Sequence, residues 1–147
     1  MPEIYLRVMI KKNPGGGSIG EKMDKNKATS ISPIVLAFVG DAVYSLFVRE
    51  KLVFNCDAKS GELNKLAVSE VKATAQADFV KEIMPLLTEE ELAVFKRARN
   101  AKKTTRAKNA SIAEYNLSTG FEAVLGYLYI IGNEERLNFI LNKGITK

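Results

Sequence analysis

Apolar residues crowd the stretch from Ile34 to Val48, and Ser32 followed by Pro33 opens it with an N-cap residue and a proline at the first helical position. This predicts a first core helix over about 33–53. Beyond it, apolar or small residues recur at Leu63, Leu66, Ala67, Val71, Thr74, Ala77, Val80 and Met84. That is the 3.6-residue period of one long amphipathic helix, ending at Pro85. Thr88 with Glu91 forms a capping-box pattern, acids lead and bases trail, and a third helix is expected from 89 to about 99. The polar, basic stretch from Asn100 to Ala110 has no apolar period and reads as a loop. Ser118 or Thr119 is then expected to cap an apolar helix running through Ile131, and Glu134 to Asn142 forms a last helix stopped by Gly144. Strand alternation, βαβ units and internal repeats are all missing from the pattern. The fold class is therefore all-α, a single helical domain over 30–147 behind a flexible segment over 1–29.

The front of the chain supports that boundary. An apolar patch from Ile4 to Ile10 is followed by Lys11-Lys12 and by Pro14-Gly15-Gly16-Gly17-Ser18, a run that breaks helix and strand alike. The charges follow the apolar patch, which argues against a secretory signal, and Met23 offers an alternative first residue. The glycines from Gly15 to Gly20 do not make a phosphate-binding loop, because Glu21 stands where that pattern needs its lysine.

Composition narrows the chemistry. With 147 residues, 46% of them apolar and 27% charged, the chain suits one ordinary globular core. Its single cysteine, Cys56, suits a reducing compartment, and a cytoplasmic location is expected. The absence of histidine excludes a Ser-His-Asp triad and every histidine-ligated zinc site. Catalysis has to come from carboxylates, lysines, hydroxyls or a hard metal.

Two carboxylates stand out. Asp41 is the only charged residue from Ser30 to Val48, and Glu122 the only one from Tyr115 to Asn133. Each is centred in its own apolar helix, where an uncompensated charge costs several kcal/mol. Neither helix supplies a Lys or Arg within a turn of its acid, so a compensating cation must come from elsewhere. One source is a distant Lys or Arg of the fold; the other is a metal ion, and oxygen ligands without His or Cys select magnesium or manganese. Gly40 beside Asp41, and Gly126 one turn after Glu122, remove side-chain bulk and would let the two helices approach closely around a shared site. An acid at the centre of 31–48 also opposes a membrane-spanning reading, since it costs roughly 2.5 to 3.5 kcal/mol on insertion.

The net charge of +5 is concentrated between Arg97 and Lys108. Arg97, Arg99, Lys102, Lys103, Arg106 and Lys108 lie there with no acid among them, interleaved with Asn100, Thr104, Thr105 and Asn109. Such a segment suits phosphate and ribose oxygens, and Arg97, Arg99, Asn100, Lys102, Lys103, Arg106 and Lys108 form the candidate RNA-binding set. Scarce aromatics favour duplex shape over base stacking. The competing reading is a solvated loop.

The stretch Leu36-Ala37-Phe38-Val39-Gly40-Asp41-Ala42-Val43-Tyr44 resembles the signature helix of ribonuclease III catalytic domains, and Phe121-Glu122-Ala123-Val124-Leu125-Gly126 is similar to that family's second acidic helix. Together with Arg97-Ala98-Arg99-Asn100-Ala101-Lys102 and Ser118-Thr119-Gly120, the match is to the compact branch known as Mini-III ribonuclease, over about residues 30 to 142. The resemblance implies a magnesium-dependent endoribonuclease, with manganese as a substitute, whose Asp41 and Glu122 are catalytic metal ligands. It also implies a homodimer built on the signature helices, with one site per subunit for each strand of double-stranded RNA. The implied substrate is precursor large-subunit (23S) ribosomal RNA, cut near its paired ends to leave 5′-phosphate and 3′-hydroxyl termini. Larger relatives carry two further acids, at the places held here by Ala37 and Thr119, so the resemblance implies a reduced carboxylate set. The reading from another class is a non-catalytic module that binds structured RNA and uses the acids for internal ion pairs.

Overall fold

The computed structural model describes residues 18–71, 73–103 and 111–143. The helical segments among the described residues are, in order, α1 Lys25–Thr29, α2 Pro33–Asn55, α3 Ser60–Val71, α4 Ala73–Ile83, α5 Glu89–Asn100, α6 Ile112–Ile130 and α7 Glu134–Lys143, with a 3-10 turn Met84–Leu86 between α4 and α5. Among the described residues there is no strand, and the all-α expectation holds.

α6 is the axis of the domain. α2, α4 and α5 pack along it, while α7 and α1 close its C-terminal end. From Ser118 to Leu128 every residue except Glu122 is buried. Leu36, Tyr44, Val80, Phe95, Val94 and Ile140 bring the core-facing sides of the other helices onto this run. Burial of such side chains, at about 1.5 to 3 kcal/mol each, is what holds α6 in the middle.

Local chemistry explains most boundaries. Pro33 starts α2 as expected, and the Thr88–Glu91 capping box of α5 forms, with the Glu91 N–H donating to Thr88 Oγ1 at 3.1 Å and the Thr88 N–H to Glu91 Oε1 at 3.0 Å. The long helix expected to run to Pro85 is described as α3 and α4 on either side of Lys72, with α3 lying on α2 and α4 on α6. Lys72 and the side chains of Val71 and Thr74 lie outside the described residues. α6 begins not at Ser118 but at Ile112, under a second capping box in which the Glu114 N–H donates to Ser111 Oγ at 3.0 Å and the Ser111 N–H to Glu114 Oε1 at 3.1 Å. Ser118 and Thr119 sit inside the helix with their hydroxyls satisfied: Thr119 Oγ1 donates to the Tyr115 carbonyl at 2.9 Å, and Ser118 Oγ to Gln76 Oε1 of α4.

Ahead of residue 30, α1 is capped by Asp24 and buries Ala28 completely, and the Met23 N–H donates to the Ile130 carbonyl at 2.8 Å. The apolar patch Ile4 to Ile10 and most of the glycine run lie outside the described residues, as does Gly144.

Candidate active site

α2 and α6 cross backbone against backbone. A Cβ on Gly126 would stand 1.9 Å from the Leu36 carbonyl oxygen and 3.0 Å from the Gly40 nitrogen, so neither helix can carry a side chain at the crossing. The acids flank it: Asp41 adjoins Gly40, and Glu122 stands one turn before Gly126. Burial, then the Asp41 side chain as hydrogen-bond partner and as nearby charge, push the Glu122 carboxyl up to about 9. Among the described residues no Lys or Arg forms an ion pair with either acid.

The burial of the two acids differs from expectation. Glu122 is half-buried, but Asp41 is exposed. The apolar character of α2 misleads here, because it serves two faces. Leu36, Ala37, Gly40, Tyr44 and Val48 face the core, whereas Val35, Phe38, Leu46 and Val53 are 51%, 79%, 58% and 66% exposed in a stripe at helical spacing on another side.

Ala37 and Thr119, where larger relatives have acids, are both buried, and the Thr119 hydroxyl is already committed to Tyr115. Among the described residues no group of three or more His, Cys, Asp or Glu could enclose a metal. Two neighbouring carboxyls with only oxygen donors fit magnesium, an ion commonly bound through one or two carboxylates while keeping several waters.

Sequence reasoning does not single out Tyr44 as part of the site. It lies three residues after Asp41, its ring meets Phe121 edge-on at 5.5 Å and 80°, and Phe121 meets Phe79 the same way at 5.2 Å and 77°. Burial, then the charges of Glu70 and Glu122, raise the Tyr44 hydroxyl to about 12. The available signal is its position one turn from the lone acid, on the core face of the helix.

The basic set is dispersed in its duties. Arg97 Nη1 donates to the Thr29 carbonyl at 2.9 Å, tying α5 to α1. Arg99 lies over the Phe95 ring, 5.9 Å from its centroid, and its Nε donates to Asn100 Oδ1 at 3.1 Å. Lys103 is half-buried and donates to the carbonyls of Arg99 at 3.0 Å and Ala101 at 2.8 Å, and desolvation lowers its pKa. Lys102 is exposed; Arg106, Lys108 and their neighbours Thr104, Thr105 and Asn109 lie outside the described residues.

The most buried ion pair among the described residues lies elsewhere. Glu91 is 2% exposed and receives Arg136 in a bidentate grip, Nε to Oε2 and Nη2 to Oε1, both at 2.7 Å. It borders a cleft of about 440 Å³ that also includes Lys25, Glu90 and Tyr127. Lys25 pairs with Glu90 at 3.4 Å, and the Tyr127 hydroxyl donates to the same Glu90. These charges already answer one another, and the cleft offers no competing site.

The Ribonuclease III domain profile matches residues 34–133. The chain is 47% identical to the Mini-ribonuclease 3 of Clostridium tetani over 84% of its length and 82% of that protein. It is likewise 47% identical to the Mini-ribonuclease 3 of a Thermoanaerobacter species, over 85% and 88% of the two chains. A crystal structure of a Fusobacterium nucleatum protein superposes with a TM-score of 0.73 at 32% identity, covering 80% of this chain and 93% of that one. No helix among the described residues is long and apolar enough to cross a membrane.

Proposed function

Because the chain belongs to the ribonuclease III family, in its compact Mini-ribonuclease branch, and is thereby an endoribonuclease, we propose that it cuts double-stranded RNA with magnesium held by Asp41 and Glu122. The observation that carries this reading is the placing of the two acids beside the backbone crossing of α2 and α6. Two carboxyls brought together by a backbone crossing, with no Lys or Arg paired to them among the described residues, offer oxygen ligands to a divalent cation. Manganese would serve in its place.

When bound there, the ion supplies an acidified water for in-line attack on phosphorus and neutralises charge on the leaving oxygen. Asp41, exposed at the rim, presents its carboxylate to solvent and to an approaching phosphate. Glu122, seated deeper, gives up its proton to become the second ligand. The rigid crossing keeps both acids at fixed separation, which is the positioning that phosphoryl chemistry chiefly needs. Arg99, Asn100 and Lys102 at the end of α5 supply backbone contacts to the duplex, with Arg106 and Lys108 beyond them in sequence.

The substrate is proposed to be the paired ends of precursor 23S ribosomal RNA, and the enzyme to work in the cytoplasm as a homodimer. The exposed stripe Val35, Phe38, Leu46 and Val53 on α2 supports the dimer, since it is too apolar to be left in water without a partner. A pair of sites related by a two-fold axis would then address opposite strands.

Incubating a long RNA duplex with the protein, with and without Mg²⁺, tests the reading. Magnesium-dependent fragments are expected from the unaltered protein and none from Asp41→Asn. Intact duplex retained in a gel shift under both conditions would instead mean a non-catalytic RNA-binding module.

A further inference from the structure

Two contacts tie α1 to α5. At its start Lys25 Nζ pairs with Glu90 at 3.4 Å, and at its end the Thr29 carbonyl accepts from Arg97 Nη1 at 2.9 Å. The end of α1 is thereby held beside the last turn of α5, and charge is sorted along the pair. Glu89, Glu90 and Glu91 lie at the start of α5, whereas residues 25–30 and 92–103 contain no acid and carry Lys27, Lys96, Arg97, Arg99 and Lys102 toward the common end. Helix C-termini bear partial negative charge and ordinarily repel an anion. Here that charge is answered from within. In α1 the Asn26 carbonyl accepts from Thr29 Oγ1 at 2.9 Å, the Lys27 carbonyl from Ser30 Oγ at 2.6 Å and the Ala28 carbonyl from the Ile31 N–H at 3.1 Å, while Arg97 takes the Thr29 carbonyl. In α5, Lys103 covers the carbonyls of Arg99 and Ala101. Lys27, Lys96 and Lys102 are exposed and form no ion pair with a described acid. Their positive charge is left uncompensated where two helix ends would otherwise offset it.

Resting on the reading that the end of α5 contacts the duplex, we propose that α1 extends the same surface: Lys27 is a further contact to the RNA phosphate backbone, and Arg97 is a positioning residue that holds it there through the Thr29 carbonyl. Lys27 stands two residues before Thr29, so its backbone lies within one helical turn of the carbonyl that Arg97 grips. An ammonium on a flexible four-carbon stem suits a phosphate contact, which needs charge more than a fixed orientation. Such a contact carries no sequence information, so α1 adds affinity for duplex without reading bases.

The test titrates the full chain with an RNA duplex in EDTA, reading affinity against salt concentration, with Tm measured alongside. Lys27→Ala should weaken binding several-fold at physiological salt and lower the salt slope by about 1, with unchanged Tm, and Lys27→Arg should keep the slope of the unaltered protein. Arg97→Gln breaks the tie to Thr29. In that background Lys27→Ala should lower the slope no further, because the lysine has already lost its place; an Arg97 acting only through its own charge would leave the two losses additive. An unaltered slope in Lys27→Ala, whatever its Tm, overturns the part given to α1, and additive losses overturn the part given to Arg97. Lys102→Ala without effect on the slope overturns the underlying reading of the α5 end instead. A slope that falls with Lys102→Ala and ignores Lys27→Ala removes only α1 from the surface.

Discussion

Gly40 touches the backbone of Glu122 so closely that a Cβ at this glycine would fall 1.6 Å from the Glu122 carbonyl oxygen. No rotamer change relieves such a clash, because the atoms opposing it are main chain. Gly40→Ala should therefore force α2 and α6 apart and cost about 3 kcal/mol or more, at the upper end of overpacking penalties. Urea denaturation reads the loss. A change under about 0.5 kcal/mol, within the range of neutral surface substitutions, would show that the helices do not meet as described.

The raised Glu122 carboxyl makes the metal-free protein sensitive to pH. Glu122 has its folded pKa raised from the ordinary 4.5 to about 9, so the folded state binds this proton more tightly than the unfolded chain does. Its contribution to stability is complete below 4.5 and is lost as pH rises towards 9. Magnesium requires the ionised carboxylate, so its affinity rises across the same window and a proton leaves as it binds. Melting temperature in EDTA should fall over this interval, and Glu122→Gln, neutral throughout, should flatten the slope. A slope that survives Glu122→Gln would assign it to another group.

Glu91 answers both to Arg136 and to the capping box of α5. Truncating it leaves a guanidinium without its partner in a largely enclosed place, so Glu91→Ala should destabilise by about 3 to 5 kcal/mol. Thermal and urea unfolding should agree on this. A loss below about 1 kcal/mol would reduce the pair to the level of an ordinary surface bridge.

Lys102 and Lys103 are neighbours with different tasks. Lys102→Ala should weaken duplex binding and lower its salt slope by about 1, since one phosphate contact is removed, while leaving Tm alone. Lys103→Ala should lower Tm, because two carbonyls at the end of α5 lose their donor. Salt-dependent binding and melting curves on the two variants separate these roles; equal effects of both on the salt slope would contradict the division.

Phe38 is 79% exposed at the centre of the apolar stripe. Phe38→Glu should convert a dimer to monomer in sedimentation analysis and reduce cleavage of both strands of a duplex. A monomeric unaltered protein would leave the stripe without this role.

Much of the fold is legible in the amino-acid sequence alone. Periodicity and caps locate α2, α5 and α7 to within one or two residues, because Pro33 and the Thr88–Glu91 box act locally. The start of α6 is misjudged from sequence since Ser118 and Thr119 look like caps in isolation; only the Ser111–Glu114 box and the long-range bond to Gln76 show them to be interior. Asp41 and Glu122 stand out as solitary charges in apolar runs, and the glycines beside them mark the crossing. Their unequal burial is hidden, because a stripe of hydrophobic side chains reads the same whether it meets the protein's core or faces outward. Glu91 escapes notice because it sits among other acids at the start of its helix, where charge is ordinary.

The buried bond between Ser118 and Gln76 has a bearing on how α4 seats against α6. Grease alone tolerates rotation, since one methyl can stand in for another. A hydroxyl and an amide bonded to each other do not: turning α4 by a single residue, about 100°, would break the bond between them. The pair works as a key and its ward, admitting one registration of the helix that carries Phe79, and so deciding where the ring that steadies Phe121 comes to rest.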